Sequence, residues 1–548
     1  MTYLIFGVIF VIIVVLILHR VNRNRLSRQL EQLRATWGEQ KTGPFYFERI
    51  RKYADVIKGA GFHRLTEQTV DDIDFYGLFS IVDRTVSRIG QQFLFRKLVE
   101  PTDQVSSSSE NLIELVTNNK ATREDIQTEL IQLSNSDAYN VSSLLEERLQ
   151  QRPSWLNLLL VNLLMIVLFA VLSFSNPVFI VFLIPPVFIN MLVHSWNKTN
   201  AYQFVSSFPQ LNILINVSKR LLKKGDVFFS SDVEKSILNL RSFQFSTSFI
   251  NLDRNAGVSG ELSQVGTYVI DFIKAALLIE VFTFYKVLND LETKRQSIIT
   301  LFDFVGNIDV AISVASLRSG ALPTCKPIIT SQGKMMVFEN VYHPLIKNCR
   351  GNSLSIKGKS VLITGSNMSG KSTFLRTLMI NSICAQSIHT CFADRFVSPI
   401  LKQYSSIRID DSLFEGTSYY QQEVKTMGSL IKEASGDSQN LFVLDEVFKG
   451  TNAVERVAAA KAILSYLNRR NNIVIVATHD MELSELLYKE YDLYHFSDSI
   501  ENDQLRFDHA IKPGRLRTGN AIKILELSDY PIEVIEEARR IVGGALGL

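Results

Sequence analysis

The chain contains few cysteines and nearly equal numbers of acidic and basic residues. Both features restrict the classes of function that the protein can have. Only four of the 548 residues are cysteines, and they are scattered without the spacing of a metal site or a redox pair. We therefore expect free thiols in a reducing compartment, at Cys325, Cys349, Cys384 and Cys391. The 58 basic and 55 acidic residues leave a net charge of +3, which provides no broad field for binding polyanions. Any contact with nucleic acid would have to be local.

The first long apolar run occupies residues 3–18, YLIFGVIFVIIVVLIL, and contains no charge. Arginines follow it at positions 20, 23, 25 and 28. Because basic residues remain on the cytoplasmic side, the pattern predicts a transmembrane anchor within residues 1–22, with the N-terminus outside the cell membrane. A cleaved signal peptide is the alternative, but it needs basic residues before the run and a small-residue cleavage site after it.

A second apolar block consists of two arms, residues 155–174 and 177–193, separated by Ser175 and Asn176. Each arm approaches the roughly 20 residues that cross a bilayer. This predicts a membrane hairpin over residues 155–194. Pro185 and Pro186 would kink the second arm, so a re-entrant hairpin that does not cross remains an alternative. Either version returns the chain to the cytoplasm.

A phosphate-binding loop is indicated by G-S-N-M-S-G-K-S at residues 365–372, which satisfies G-x-x-x-x-G-K-[ST] between a strand-like and a helix-like stretch. Glycines let backbone N–H groups surround a phosphate at the positive end of the helix. Lys371 would bind the β- and γ-phosphates of ATP, and Ser372 the Mg²⁺. The predicted ATP-binding residues here are Gly365, Ser366, Asn367, Met368, Ser369, Gly370, Lys371, Ser372 and Thr373.

Two further apolar stretches end in residues suited to hydrolysis. NLFVLDE ends in Asp445, predicted as a Mg²⁺ ligand, and Glu446, predicted as the general base for the attacking water. NIVIVATHD contains His479, placed to sense the γ-phosphate, with an ordinary histidine at a strand end as the alternative. Standing alone, the carboxylates would favour a solvated acidic turn. Beside a phosphate loop they favour catalysis, together with Lys371.

A family resemblance rests on five segments in a fixed order: TGSNMSGKSTFLR (364–376), DDSLFEGTSYYQQEV (410–424), LDEVFKGTNAVE (444–455), ATHDMEL (477–483) and GRLRTGNAIKILELSDYPIEVIEEARRI (514–541). Together they resemble the ATPase domain of the MutS mismatch-repair family, a branch of the ABC-type ATPases. The resemblance implies a homodimer in which Ser418 reaches the γ-phosphate of the partner's ATP. It also implies that His509 lies near the adenine, and a surface histidine is the alternative there.

Upstream, residues 78–103 and 307–320 resemble the start and end of the family's helical core domain. The predicted fold is therefore multidomain α and α/β, with transmembrane helices, an all-helical lever and a C-terminal P-loop domain with a mainly parallel sheet. The predicted domains are an anchor (1–22), the first part of the helical core (23–154), the hairpin (155–194), the rest of the core and lever (195–325) and the MutS-like ATPase domain (326–548).

The chain departs from the family where relatives contact DNA. Only residues 24–68 separate the anchor from the core, too few for a mismatch-recognition domain. A short connector, residues 243–261, stands where relatives insert a DNA clamp. Direct mismatch recognition is therefore not expected. The basic group at 219–224, KRLLKK, suits DNA phosphates or anionic lipid head groups, or is simply a solvated helix face.

Two functions fit this pattern. The first is a membrane-anchored, Mg²⁺-dependent ATPase whose dimer couples ATP hydrolysis to DNA clamping, related to DNA repair. The second is an ATP-driven membrane switch acting on a protein partner without nucleic acid. A transporter is disfavoured because three short spans provide no evident polar pathway. In each case the ATPase domain would be cytoplasmic, at the cell (inner) membrane.

Overall fold

The chain divides into two units, each built from segments that are distant in sequence. One comprises Met1–Ala60, Asp83–Arg96 and Ser107–Ser319, and the other comprises Gly61–Val82, Lys97–Ser106 and Gly320–Leu548. A computed structural model describes residues 20, 24–57, 61–103, 107–146, 155–200, 202–248, 272–273, 275–331, 333–366, 369–407, 419–448, 452–501, 504–516, 522, 525–526 and 530–545. The predicted anchor at 3–18 lies outside these residues, as does most of the connector at 243–261.

Helices account for most of the described chain. In chain order the α-helices are α1 (Phe47–Ile50), α2 (Lys52–Val56), α3 (Glu67–Asp72), α4 (Phe75–Val82), α5 (Arg88–Val99), α6 (Ser107–Asn118), α7 (Lys120–Leu130), α8 (Leu156–Ser173), α9 (Ile184–Asn200), α10 (Tyr202–Leu222), α11 (Ser231–Asn239), α12 (Arg241–Ser248), α13 (Ile279–Arg318), α14 (Lys371–Ser387), α15 (Tyr419–Ala434), α16 (Ala453–Leu467), α17 (Met481–Leu487) and α18 (Ile532–Ala545). Residues 24–35 are also helical. Short 3₁₀ helices occur at Ile131–Leu133, Ser136–Leu145, Pro177–Leu183 and Asp226–Phe228.

The first unit is helical and is organised around α13, which has 40 residues. Asp309 on this helix is fully buried. Its carboxylate accepts hydrogen bonds from the backbone N–H groups of Val86 and Ser87, at 2.8 and 2.7 Å, and from the Ser87 hydroxyl at 2.6 Å. The turn before α5 is thereby fixed to the C-terminal part of α13, because a buried carboxylate is stable only when its oxygens are hydrogen-bonded.

Three described segments are long and apolar enough to cross a membrane: Leu156–Ser173, Pro177–Trp196 and Asp290–Arg318. Only 11% of each of the first two is buried within the protein, compared with 72% of the third. The third is therefore part of the core of its unit. The first two, which coincide with the predicted hairpin, leave large apolar side chains exposed, among them Leu164 and Phe174.

The second arm of the hairpin changes from a 3₁₀ helix to α9 at Ile184. Pro185 and Pro186 lie in the first turn of α9, where a missing N–H leaves no bond unmade. Asn162 of α8 donates to Asn190 at 2.7 Å and to the Pro186 carbonyl at 2.9 Å. The two arms are thus joined by polar groups in otherwise apolar surroundings.

The basic group at 219–224 makes ion pairs within its own unit. Arg220 pairs with Glu129, and Lys224 with Asp125, both on α7. Two of its four cations are therefore already neutralised, which favours the interpretation as an ion-paired helix face.

The second unit contains two β-sheets. The strands are β1 (Ile328–Thr330), β2 (Met335–Val341), β3 (Asn352–Lys357), β4 (Ser360–Thr364), β5 (Arg395–Pro399), β6 (Lys402–Ser406), β7 (Asn440–Asp445), β8 (Ile473–Thr478), β9 (Tyr491–Glu501) and β10 (Gln504–Pro513). The smaller sheet has the order β1-β5-β2-β3 and mixed orientation. The larger sheet has the order β10-β9-β4-β8-β7-β6 and is parallel except between β9 and β10. The predicted combination of a helical part and an α/β part is confirmed at this level.

The register of the larger sheet brings the ends of three strands together. Thr364 at the end of β4 lies beside Thr478 at the end of β8, and Asp445 at the end of β7 lies beside Ala477. All three strands are parallel, so the segments that follow them emerge at one edge of the sheet. In open parallel sheets this edge is where ligands bind.

Candidate functional site

The loop between β4 and α14 contains two glycines that the local geometry requires. Gly365 has φ +155°, and a Cβ there would lie 2.8 Å from the Phe496 carbonyl oxygen. Gly370 has φ +111° and forms the N-cap of α14. The first turn of α14 contains no acidic residue. The positive end of a 17-residue helix is therefore presented to the loop, with no negative charge in the helix's own first turn.

Lys371, the first residue of α14, is buried beneath the loop with only 5% of its surface exposed. Its ammonium donates to the carbonyl oxygens of Gly365 and Ser366, each at 2.8 Å. Burial lowers the pKa of Lys371, while the nearby Asp445 and Glu446 carboxylates oppose this shift. The ammonium is thus a positive charge in a low-dielectric place, where an anion is bound more strongly than at the surface.

Ser372 and Asp445 form the second part of the site. The Ser372 hydroxyl donates a hydrogen bond to a carboxylate oxygen of Asp445. These are hard oxygen donors of the kind that Mg²⁺ prefers, and Mg²⁺ usually takes few ligands from protein while phosphate and water complete its shell. In the described part of the chain no three His, Cys, Asp or Glu side chains converge as a metal site would require. The pair therefore fits a Mg²⁺ ion shared with a phosphate better than a fully protein-bound metal.

Glu446 follows β7 with φ +60°, a left-handed conformation that is unusual for a residue other than glycine. Its backbone N–H donates to the Ala477 carbonyl at 2.8 Å, which holds the turn against β8. A carboxylate oxygen lies 3.1 Å from Nε2 of His479. That nitrogen also lies 3.4 Å from the Lys371 ammonium. The three side chains thus meet at one point above the ends of the strands.

The turn that carries His479 is braced from α16. Two guanidinium nitrogens of Arg456, Nε and Nη2, donate to the two carboxylate oxygens of Asp480, at 3.0 and 2.6 Å. Such two-point pairing fixes orientation as well as distance. No local pattern indicates this partner for Asp480, because 24 positions separate the two residues.

His509 lies in β10 with φ +48°, at an irregularity in the pairing of β10 with β9. Its Nδ1 lies 3.1 Å from the carbonyl oxygen of Ser369, in the loop between β4 and α14. A Cβ on Gly370 would lie 3.1 Å from the same nitrogen. The imidazole of His509 thus contacts the backbone of this loop directly. Neither interpretation of the sequence, a position near the adenine or a surface histidine, included this contact.

One wall of the cleft was missed at the sequence level. It is formed by the turn between β2 and β3, which contributes Lys347, Cys349 and Arg350, and by Asn352 at the start of β3. Asn352 donates to the His509 carbonyl at 3.0 Å and accepts from the Ile511 N–H at 2.9 Å. The only sequence signal was a polar, basic turn, KNCRGN, before a predicted strand.

These side chains surround a cleft of about 650 Å³, large enough for a nucleotide. Among the predicted site residues, the structure places Gly370, Lys371, Ser372, Thr373, Asp445, Glu446, His479 and His509 on its wall. Gly365, Ser366 and Ser369 lie in the adjoining loop. Asn367, Met368 and Ser418 lie outside the described residues.

Residues 361–544 match the family of MutS domain V. The DNA mismatch repair protein MutS of Thermus thermophilus is 31% identical over 204 residues, which are 36% of this chain and 25% of that protein. MutS of Natronomonas pharaonis is 27% identical over 250 residues, or 44% and 29% of the two chains.

MutS of Listeria monocytogenes is 29% identical over 299 residues, or 52% of this chain and 34% of that protein. The chain therefore spans about a quarter to a third of the length of the curated relatives it matches. The matches show that the C-terminal part of this chain is similar to MutS domain V.

Proposed function

We propose, from the likeness of this chain to MutS domain V and from its cleft, that the protein is a Mg²⁺-dependent ATP hydrolase. The observation that carries the proposal is the hydrogen bond between Ser372 and Asp445, in a cleft that also contains Lys371 and Glu446. A phosphate-binding loop without a carboxylate at this place would bind nucleotide but would not direct a metal to it.

The roles of the residues follow from their positions. The loop N–H groups and the Lys371 ammonium would bind the β- and γ-phosphates, and the Ser372 hydroxyl and Asp445 carboxylate would hold Mg²⁺. The ion would neutralise charge that develops on the phosphate oxygens. Glu446 would accept a proton from the water that attacks the γ-phosphorus, so that ATP and water give ADP and phosphate. His479, 3.1 Å from Glu446, would hold that carboxylate in position.

The proposed active form is a homodimer with composite ATP sites. This rests on the family resemblance, in which Ser418 of one subunit completes the site of the other. Residues 408–418 lie outside the described part of the chain, so Ser418 enters the proposal through the sequence alone.

The proposed dimer acts on DNA, which it would clamp without direct mismatch recognition. The matched relatives are DNA mismatch repair proteins. Two of the four cations in the basic group at 219–224 are already ion-paired, so we do not assign DNA contact to that group.

A second candidate function is a membrane switch that acts on a protein partner. The observation in its favour is the hairpin, whose two arms are only 11% buried. So many exposed apolar side chains are typical of a surface that contacts lipid or another protein. With the run at residues 3–18 as an anchor, the protein would lie in the cell membrane with its ATPase domain in the cytoplasm.

The deciding experiment measures ATP turnover by the full-length protein in lipid nanodiscs, with and without duplex, mismatched and branched DNA. Lys371→Ala should abolish turnover, and Lys357→Ala, an exposed lysine on β3, should not. Stimulation of ATP turnover by one form of DNA would identify that form as the DNA on which the protein acts. Turnover that needs Lys371 but ignores every DNA would favour the switch. Turnover that survives Lys371→Ala would contradict the proposed site.

A further inference from the structure

Cys325 and Cys391 lie directly opposite each other in the second unit. They form an isolated antiparallel bridge in which each backbone N–H donates to the other residue's carbonyl oxygen at 2.9 Å. Both are reduced thiols. Their wide separation in sequence concealed this pairing, so that the spacing of the cysteines gave no indication of a redox pair.

We propose that Cys325 and Cys391 are a redox-responsive pair that closes a disulfide when the protein meets a peroxide. The inference does not depend on the proposed ATPase activity. It assigns a modification site to two residues that take no part in the nucleotide cleft.

The backbone geometry suits such a bond. Residues that exchange both hydrogen bonds in an antiparallel pair have Cα atoms about 5.5 Å apart and place their side chains on the same face. Disulfides join Cα atoms separated by about 4.4 to 6.8 Å. The two sulfurs can therefore meet by side-chain rotation with little backbone movement.

Hydrogen bonds around the two cysteines hold their backbones in place. The two thiols differ in how far they are exposed to solvent, and therefore to a peroxide. Cys325 is partly exposed, whereas Cys391 is fully buried and its thiol contacts the Asn381 carbonyl at 3.5 Å. The Tyr342 hydroxyl donates to the Pro323 carbonyl at 2.6 Å, which fixes the chain just before Cys325. Cys325 is therefore the sulfur that a peroxide reaches first, and Cys391 is the resolving thiol.

The reaction balances with a peroxide as the oxidant. The Cys325 thiolate attacks one peroxide oxygen and the O–O bond breaks, which gives a sulfenic acid and, for hydrogen peroxide, water. The Cys391 sulfur then attacks the Cys325 sulfur. The S–S bond forms and the S–O bond breaks, and hydroxide leaves with the Cys391 proton as a second water. Two thiols lose two electrons in total, and hydrogen peroxide is reduced to two waters.

The disulfide would constrain α14, the helix that begins at Lys371. It would close a loop of about 65 residues that contains the whole phosphate loop and α14. Asn381 of α14 accepts from the Phe392 N–H at 2.6 Å through its side chain, next to the bridge. Oxidation would replace the contact between the Cys391 thiol and the Asn381 carbonyl with a covalent link across the ends of this segment.

The test treats the full-length protein in nanodiscs with hydrogen peroxide, blocks remaining thiols with N-ethylmaleimide and digests it without reductant. Mass spectrometry should find one linked peptide pair, Cys325 with Cys391, that disappears on treatment with dithiothreitol. Cys325→Ser should lose this species completely. Because Cys325 is partly exposed, we expect Cys325→Ser to fold normally. Cys391→Ser, at the buried cysteine, should lose the linked pair as well.

The chain supplies its own controls. Cys384→Ser should retain the linked pair, since burial raises the pKa of Cys384 to about 12 and keeps that thiol protonated. Cys349→Ser should retain it as well. The proposal is overturned if Cys325 is oxidised to sulfinic acid without linkage, or if it links to Cys349 as readily as to Cys391.

Discussion

The Ser372 hydroxyl donates to the Asp445 carboxylate across 73 positions of sequence. The two residues meet because α14 begins, and β7 ends, at the same edge of the larger sheet. This one contact joins the phosphate loop to the strand whose next residue is Glu446. It places the loop before α14, which suits phosphate binding, close to Glu446, which suits activation of water.

Replacing Ser372 with alanine should weaken the metal site without removing the phosphate loop. One oxygen ligand is lost while Lys371 and the loop N–H groups remain. We expect the Mg²⁺ concentration for half-maximal ATP turnover to rise by about tenfold or more. A Mg²⁺ titration of turnover measures this, with Ser355→Ala on the exposed side of β3 as the control. An unchanged Mg²⁺ requirement would remove Ser372 from the metal site.

Glu446→Gln should separate ATP binding from hydrolysis. Glutamine keeps the size of the side chain but does not accept a proton from water, so turnover should fall by about 100-fold or more. Nucleotide affinity, measured by equilibrium binding, should change little. Glu455→Gln, an exposed residue in the first turn of α16, is the matched control. Glu446 is not the base if its variant turns over ATP at the normal rate.

The residues predicted from the sequence to line this cleft lie in contiguous segments. The loop before α14, the start of α14 and the two carboxylates at and just after the end of β7 are short motifs, and their neighbours in sequence are also their neighbours in space. Residues that reach the site through the sheet register or a turn were missed, as Arg350 and Asn352 show. The left-handed conformation of Glu446 had no sequence signal either, since it depends on a hydrogen bond to β8.

The coarse fold was predictable for a similar reason. Apolar strands that alternate with helical stretches predict a parallel sheet, and the register within that sheet then follows from the packing. The segment at 61–82 was harder to place. Its contribution to the second unit depends on polar contacts more than 300 positions apart, which no local pattern reports.

One of those distant contacts leads to a prediction about positioning. The buried carboxylate of Asp72, at the end of α3, accepts from the Ser405 hydroxyl at 2.6 Å and from the Ile407 N–H at 3.0 Å. Ser405 belongs to β6, which pairs with β7, the strand that ends at Asp445. Asp72 therefore holds the end of β6, the strand adjacent to the one that ends at Asp445.

Asp72→Ala should leave two buried donors without an acceptor and destabilise the protein by about 1–3 kcal/mol. Because β6 would be released beside β7, we expect kcat for ATP to fall while KM changes little. Steady-state kinetics, taken well below the melting temperature, test this. Asp71→Ala, one residue earlier and exposed, is the control. A loss of stability with unchanged kcat would make Asp72 purely structural.

His343 should make the second unit sensitive to acid. Its pKa is lowered from 6.5 to about 4, chiefly by burial, with the nearby Arg376 acting in the same direction and Asp74 opposing the shift. Its Nδ1 accepts from the Leu345 N–H at 3.3 Å, a bond that requires the neutral ring. Protons therefore bind the unfolded chain more tightly, so this contribution to stability is complete above pH 6.5 and is lost as the pH falls towards 4.

At pH 5 the loss should be about 2 kcal/mol relative to neutral pH. The measurement compares thermal unfolding of the full-length protein between pH 7 and pH 5 with that of His343→Asn. The asparagine carbonyl oxygen can accept the same N–H but does not titrate. The variant should lose less stability on acidification than the natural protein. Parallel pH profiles for the two would mean that His343 binds protons equally in the folded and the unfolded chain, which would contradict the lowered pKa.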